Sequence, residues 1–179
     1  MKTWIALFRG INVMGNNKLP MKDLAALLRR LKLQDPRTYI QSGNAVFAST
    51  GTAAALAARI SAAIERQFGF CPYVVLLEER ELACAVAKNP FPEASAAPAS
   101  VHLWFLEDRA AAAAPLGLEA LRSASERFAL HGKVLYLHTP EGFGISRLAS
   151  RAERILCTRA TARNWRTATT LLAMARGEK

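Results

Sequence analysis

No stretch of the chain approaches the ~20 consecutive apolar residues that span a bilayer, so no membrane-crossing helix is expected. Cysteine is scarce. Cys71, Cys84 and Cys157 are odd in number, widely spaced and without a C-x-x-C pair, which argues against a disulfide framework or a zinc site. They read as small buried hydrophobes in a reducing cytosol. Neither phosphate-cradling glycine pattern, G-x-x-x-x-G-K-[ST] or G-x-G-x-x-G, occurs. The three histidines, His102, His131 and His138, form no H-x-x-x-H or H-E-x-x-H pattern, so no metal is expected. No pair of carboxylates stands poised for acid–base work, and Glu78, Glu79 and Glu81 read as a strand end running into a helix. Ser42 has no histidine near it in sequence to act as a base, so it is not read as a nucleophile. No cofactor is expected. The opening Met1-Lys2-Thr3-Trp4 leads straight into a strand-like run that reaches Arg9 too soon for a signal-peptide core. Together with the cysteine usage, this predicts a cytoplasmic protein.

Acidic residues are also in short supply. Fourteen Asp and Glu stand against 24 Lys and Arg in 179 residues, a formal charge of +10 with a pI near 10.2. Such a balance fits an anionic partner, whether nucleic acid, nucleotide or phosphate. It equally fits a scattered arginine surface that binds nothing in particular. The hydrophobic share of 51% and charged share of 21% are those of an ordinary globular chain, long enough for one average domain or two small ones.

Lys2–Phe8 is apolar and rich in strand formers and reads as a buried strand. Pro20 suits the first turn of a helix, which Leu24, Leu27, Leu28 and Leu31 continue at helical spacing until Asp35-Pro36 breaks it. Thr38–Gln41 and Ala45–Ala48 are strands flanking a Ser42-Gly43-Asn44 hairpin turn. Gly51-Thr52 opens a second helix, with Leu56, Ile60, Ile64 and Phe68 on one face and Gly69 as its stop. Pro72–Glu78 is a further strand. Strand, helix, strand, strand, helix, strand is the order of the ferredoxin-like split β-α-β plait. A short helix from Glu79 to about Lys88 follows. The proline-bearing 89–100 stretch reads as a linker.

The second half repeats the order more loosely. Val101–Leu106 is a strand and Leu116–Ser123 a helix. Arg127–Leu130 and Val134–His138 form a hairpin about Gly132-Lys133. Arg147–Leu156 is a helix, Cys157–Thr161 a last short strand, and Asn164 to Arg176 a closing helix stopped by Gly177. The predicted fold is α+β, two ferredoxin-like halves packed together. Residues 1–88 form the first half, 89–100 the linker, and 101–179 the second half with its C-terminal helix.

Three polar segments stand out. In a plait of this topology the first strand ends where the central hairpin turns. Arg9–Lys18 and Gln41–Asn44 should therefore meet at one end of the first sheet, with the 69–72 turn beside them. Arg9, Asn12, Asn17, Lys18, Gln41, Ser42 and Asn44 are the candidate ligand-binding residues there. Gly15-Asn16-Asn17-Lys18 precedes a helix N-terminus, where amides and the helix dipole favour an anion, and arginine can grip one in bidentate fashion. Alternatively, Gly and Asn stand there only to adopt positive φ and tie the loop down. The third segment, Arg163-Asn164-Trp165-Arg166, opens the last helix. Arg163 and Asn164 are candidates for a basic, aromatic clamp on nucleic acid or nucleotide. A cap supplied by Thr161 or Asn164 and a core Trp165 account for the same residues. Arg147, Arg151 and Arg154 fall on one helical stripe that can track phosphates or simply face solvent.

These segments carry a resemblance. Leu7-Phe8-Arg9-Gly10-Ile11-Asn12-Val13, Asn17-Lys18, Pro20-Met21, the Tyr39–Phe47 turn and the Thr161–Thr167 segment resemble the bacterial family catalogued as domain of unknown function 1697. Asn89-Pro90-Phe91-Pro92, Tyr136-Leu137-His138, Pro140, Gly142, Ser146 and Leu148 are similar to it as well. Met14 and Arg166 depart from its usual small residue and Asn. The resemblance implies a cytosolic α+β protein with ferredoxin-like halves and implies no activity. The leading expectation is a module that binds an anionic ligand at the first-half loops, nucleic acid first and a phosphorylated small molecule next. The alternatives are a small enzyme acting on an acidic or phosphorylated metabolite, with Arg9 and Lys18 orienting it, and a protein–protein interaction module.

Overall fold

The computed structural model describes residues 1–13 and 15–178. Met14, one of the two departures from the family pattern, lies outside the described residues. The chain packs as two compact units, residues 1–83 with 170–179, and residues 84–169.

The first unit carries β1 (Lys2–Arg9), α1 (Met21–Arg30), β2 (Gln34–Tyr39), β3 (Asn44–Ser49), α2 (Ala53–Phe68) and β4 (Tyr73–Glu78). The sheet is antiparallel in the order β2-β3-β1-β4. That is the order of a ferredoxin-like plait. Trp4, Ala6 and Phe8 alternate along one face of β1 and pack with Leu24, Leu27 and Leu28 of α1 and with Leu56, Ile60 and Ile64 of α2. Period two on the strand and 3.6 on the helices thus meet in one core. Thr52 caps α2 through its hydroxyl, which accepts from Ala55 N. Gly69 ends the helix at φ +78°.

Two local features depart from the sequence expectation. The first is the stop of α1, which is not Asp35-Pro36. Lys32 turns left-handed at φ +55°, Lys32 N donates to Arg29 O at 2.8 Å, and Leu33 N donates to Leu28 O at 3.2 Å. This is a Schellman closure, with Leu33 buried as its apolar seal. Asp35-Pro36 instead lies inside β2, at a shift of register between Gln34 and Arg37. β2 is an edge strand, so the missing proline N–H breaks no ladder bond.

The second is the hairpin. β2 ends at Tyr39 and the turn is residues 40–43, with Ile40 at φ +46° and Gly43 at φ +80°. Asn44 is not a turn residue. It is the first residue of β3, fully buried and paired with both Tyr39 and Leu7.

The second unit carries β5 (Val101–Leu106), α4 (Ala114–Glu119), β6 (Arg127–His131), β7 (Val134–His138), α5 (Arg147–Leu156) and β8 (Ala160–Asn164). Its sheet order is β6-β7-β5-β8, again antiparallel, so the two units repeat one topology. Trp104, Leu106, Leu135 and Leu137 pack with Leu118 of α4 and with Leu148, Ala152 and Leu156 of α5. α4 is shorter and earlier than the expected Leu116–Ser123. The expected Cys157–Thr161 strand runs from Ala160 to Asn164, because Cys157 at φ +54° is still the left-handed end of α5. α3 (Glu79–Ala87) and α6 (Trp165–Arg176) complete the fold.

The cysteines overturn their expectation: Cys71, Cys84 and Cys157 are exposed free thiols rather than buried hydrophobes. Each follows a helix end or lies on a helix surface, where a small residue is tolerated without being enclosed. Among the described residues no helix is long and apolar enough to cross a membrane.

Candidate functional site

The polar segments of the first unit meet at one end of its sheet. The pairing of Leu7 with Asn44 and of Arg9 with Tyr73 brings the end of β1, the 40–43 turn and the start of β4 together, as the topology requires. Phe8 N donates to Gly43 O at 2.9 Å, which seats the turn against the strand. A Cβ on Gly43 would lie 2.6 Å from Ile11 Cδ1 and 2.9 Å from Phe8 Cβ, so only glycine allows this approach at positive φ.

Asn12 is the fastener. It sits at φ +55°, a conformation asparagine tolerates better than most residues. Its Nδ2 donates to Leu19 O and to Gln41 O, both at 2.9 Å, and its Oδ1 accepts from Leu19 N at 2.7 Å. The loop is closed a second time by Asn17, whose Nδ2 donates to Gly10 O at 2.8 Å and whose carbonyl accepts from Asn12 N at 3.1 Å. Asn16 N donates to Val13 O at 2.9 Å across the loop tip. Asn44 Nδ2 donates to Tyr39 O and to Ser42 Oγ, both at 3.1 Å, and so closes the hairpin turn.

The candidates therefore separate by role. Asn12, Asn17 and Asn44 use their side-chain amides to build the two loops. Arg9, the last residue of β1, and Lys18, Gln41 and Ser42 on the two loops are exposed. The structural alternative read from sequence is what the loop shows, with Asn12 and Asn17 at positive φ tying it down, and Arg9 and Lys18 stand exposed beside them. Residues 1–22 and 36–64 contain no Asp or Glu, so neither loop supplies a carboxylate of its own. The opposite end of the same sheet is built differently. There a groove of about 360 Å³ is bordered by Lys2, Arg80 and Arg176. These cations pair with Glu78 and Glu79, at 2.5 Å for Lys2–Glu78, 2.9 Å for Arg80–Glu78 and 2.8 Å for Arg176–Glu79. Hydrogen bonding from Lys2, with help from Arg80, holds the Glu78 carboxyl below its ordinary range.

Two exposed apolar residues belong to the loop end and escaped the sequence reading. Val13 is 53% exposed and Ile40 is 48% exposed, each next in sequence to a member of the Asn12–Gln41 hydrogen bond. Ile40 is also a β-branched residue in the left-handed region, an outlier for that side chain. The expected Thr38–Gln41 strand would hold it inside a strand, whereas it is the first residue of the turn. The signal available was an aliphatic residue immediately before a Gln-Ser-Gly turn.

In the second unit, Arg163 lies on β8 and is only 8% exposed. Its Nη1 donates to Thr161 Oγ1 at 2.9 Å and to Ala162 O at 2.8 Å, and burial lowers its pKa to about 10. Asn164 closes the start of α6, its Oδ1 accepting from Thr167 N at 2.9 Å. Trp165 is half-buried, and Arg166 is exposed on the first turn of α6. Arg147, Arg151 and Arg154 are exposed along α5.

His102 stacks on Phe143 with ring centroids 3.9 Å apart, and burial lowers its pKa to about 4. Arg127 Nη2 bonds His138 Nδ1 at 3.1 Å and also reaches Glu93. Among the described residues no group of three or more His, Cys, Asp or Glu is arranged to hold a metal.

No curated protein matches the chain. Its fold is shared with the conserved bacterial protein SP0830 from Streptococcus pneumoniae, with a TM-score of 0.76 at 23% identity over 97% of this chain and 98% of that one. The family model described as protein of unknown function DUF1697 matches residues 1–136, and the chain belongs to that family.

Proposed function

We propose that the protein binds an anionic ligand at the loop end of the first sheet, with nucleic acid as the favoured class and a phosphorylated small molecule as the next. The observation that carries this reading is the Asn12 fastener. One side chain bonds Leu19 twice and Gln41 once, so the loop bearing Lys18 and the turn bearing Gln41 and Ser42 are tied into one platform. A preformed platform loses little freedom on binding, which is the condition for weak individual contacts to add up. Arg9 and Lys18 provide charge, Gln41 and Ser42 provide neutral hydrogen-bonding groups, and neither loop brings a carboxylate to oppose them. The net charge of +10 assists encounter with a polyanion over longer range.

Fluorescence anisotropy with a labelled RNA or DNA oligonucleotide at low salt tests the reading. The wild-type chain is expected to bind, and Arg9→Ala and Lys18→Ala are each expected to weaken binding about tenfold or more, the usual worth of one hydrogen bond to a charged group. Absence of binding to RNA, DNA and nucleotides at low salt rejects it.

A further inference from the structure

Ile40 poses a problem that anion binding alone does not answer. A β-branched side chain in the left-handed region is strained, and glycine or asparagine would serve the turn better. Burial does not explain the choice, because Ile40 is 48% exposed. Residues held in such conformations cluster at binding sites, where the surrounding structure imposes them. Here the imposed geometry is visible. Gln41 O is tied to Asn12, Gly43 O to Phe8 N, and the Tyr39 carbonyl to Asn44. The result is an aliphatic side chain exposed on the same platform as Lys18 and Arg9. Val13, 53% exposed, is a second one on the facing loop.

We infer that the ligand presents an apolar face beside its phosphate, and that it is a single-stranded nucleic acid with an unstacked base lying on Ile40 and Val13. The inference rests on the proposed phosphate contacts of Arg9 and Lys18. Charge complementarity selects the class, since Arg9 and Lys18 bracket Val13 in sequence and neither loop carries an acid. The apolar pair selects the strandedness. In a duplex the base faces are stacked and closed to a protruding side chain, whereas a single strand offers them.

The test compares three probes: a labelled single-stranded oligonucleotide, the same sequence as a duplex, and inorganic tripolyphosphate as a competitor that has charge but no base. Ile40→Gly removes the side chain at a backbone conformation glycine favours, and Ile40→Asn keeps a side chain compatible with that conformation while making it polar. Both variants are expected to weaken single-strand binding about three- to tenfold, the worth of covering the exposed part of one aliphatic side chain. Competition by tripolyphosphate should stay unchanged. Arg9→Ala and Lys18→Ala should weaken both probes. Equal loss for oligonucleotide and tripolyphosphate in the Ile40 variants, no loss for either, or duplex binding as tight as single-strand binding overturns the inference while leaving the phosphate contacts standing. Tripolyphosphate that fails to compete, or indifference to the Arg9 and Lys18 substitutions, rejects the underlying reading and this one with it. An acidic peptide that displaces the oligonucleotide from wild type but not from Ile40→Asn would assign the apolar pair to a protein partner, and also overturns it.

Discussion

Asn12 and Gln41, 29 positions apart in sequence, are joined by a 2.9 Å hydrogen bond from the Asn12 side-chain amide to the Gln41 main-chain carbonyl. The same amide nitrogen reaches Leu19 O, and the amide oxygen takes the Leu19 N–H. Both sides of one small side chain are thus spent on joining two loops at the end of β1. Asn12→Ala removes three hydrogen bonds and leaves alanine at φ +55°. A loss of about 2–4 kcal/mol is expected from the unpaired backbone groups and the backbone strain. Urea denaturation measures it as a lower midpoint at unchanged slope. A change within about 0.5 kcal/mol would mean that the two loops hold their places without this side chain.

Gly43 and Ile11 define the second prediction. A methyl group on Gly43 would fall 2.6 Å from Ile11 Cδ1, with Phe8 Cβ behind it, and φ is +80°. Gly43→Ala is expected to cost about 2 kcal/mol or more through combined overpacking and strain. Measured against Ile11→Ala alone, the double variant should show a smaller loss, because the Ile11 contact is gone while the Phe8 Cβ contact and the strain of the positive φ stay. Thermal melts of the single and double variants separate the two contributions. A double variant as stable as Ile11→Ala alone would show that neither the strain nor the Phe8 contact contributes.

His102 and His138 make stability depend on pH with the same sign. Burial lowers the pKa of His102 to about 4, and burial together with Arg127 lowers that of His138. Below pH 6.5 the unfolded chain takes up protons that the folded chain does not, so stability falls as pH drops. Above about pH 7.5 both groups are neutral folded and unfolded, and neither contributes a slope. His102 alone should cost about 3 kcal/mol between pH 7 and pH 4. Nδ1 of His102 has no hydrogen-bond partner among the described residues to favour its charged form. His102→Phe should flatten the denaturation free energy over that interval. An undiminished slope in His102→Phe would place the acid sensitivity elsewhere.

The contrast between Arg163 and Arg166 gives a further expectation. Arg163 is buried and bonded to Thr161 and Ala162, whereas Arg166 is exposed. Arg163→Ala leaves a cavity and unpaired polar groups, and should cost about 2–4 kcal/mol. Arg166→Ala should stay within about 0.5 kcal/mol of wild type. Denaturation midpoints of the two variants read the difference directly. Equal effects would mean that Arg163 contributes no more to the fold than a surface arginine.

Most of the fold was legible because its periodicities are strong. The Leu24, Leu27, Leu28 stripe, the Leu56, Ile60, Ile64 stripe and the Val101–Leu106 strand are found where the pattern put them. The element order led to the plait twice, and the topology correctly brought the loop after β1 to the 40–43 turn. What the sequence hid were effects of backbone conformation. Lys32, Ile40 and Cys157 adopt positive φ, and none belongs to the residue types that advertise it. Asp35-Pro36 looked like a helix breaker because the consequence of an edge position is invisible before the sheet is assembled. The division of labour among Asn12, Asn17 and Asn44 was equally hidden, since an asparagine that builds a loop and one that touches a ligand are the same letter.

The salt dependence of single-strand binding tests the central claim most directly. Affinity of the wild-type chain for a single-stranded oligonucleotide should fall linearly on a log–log plot against salt concentration, with a slope of about −0.7 for each phosphate neutralised. Arg9→Ala/Lys18→Ala should weaken binding and make that slope shallower by about 1.4, the share of two phosphate contacts. An unchanged slope and affinity in the double variant would contradict the account and move the anion away from the loop end of the first sheet.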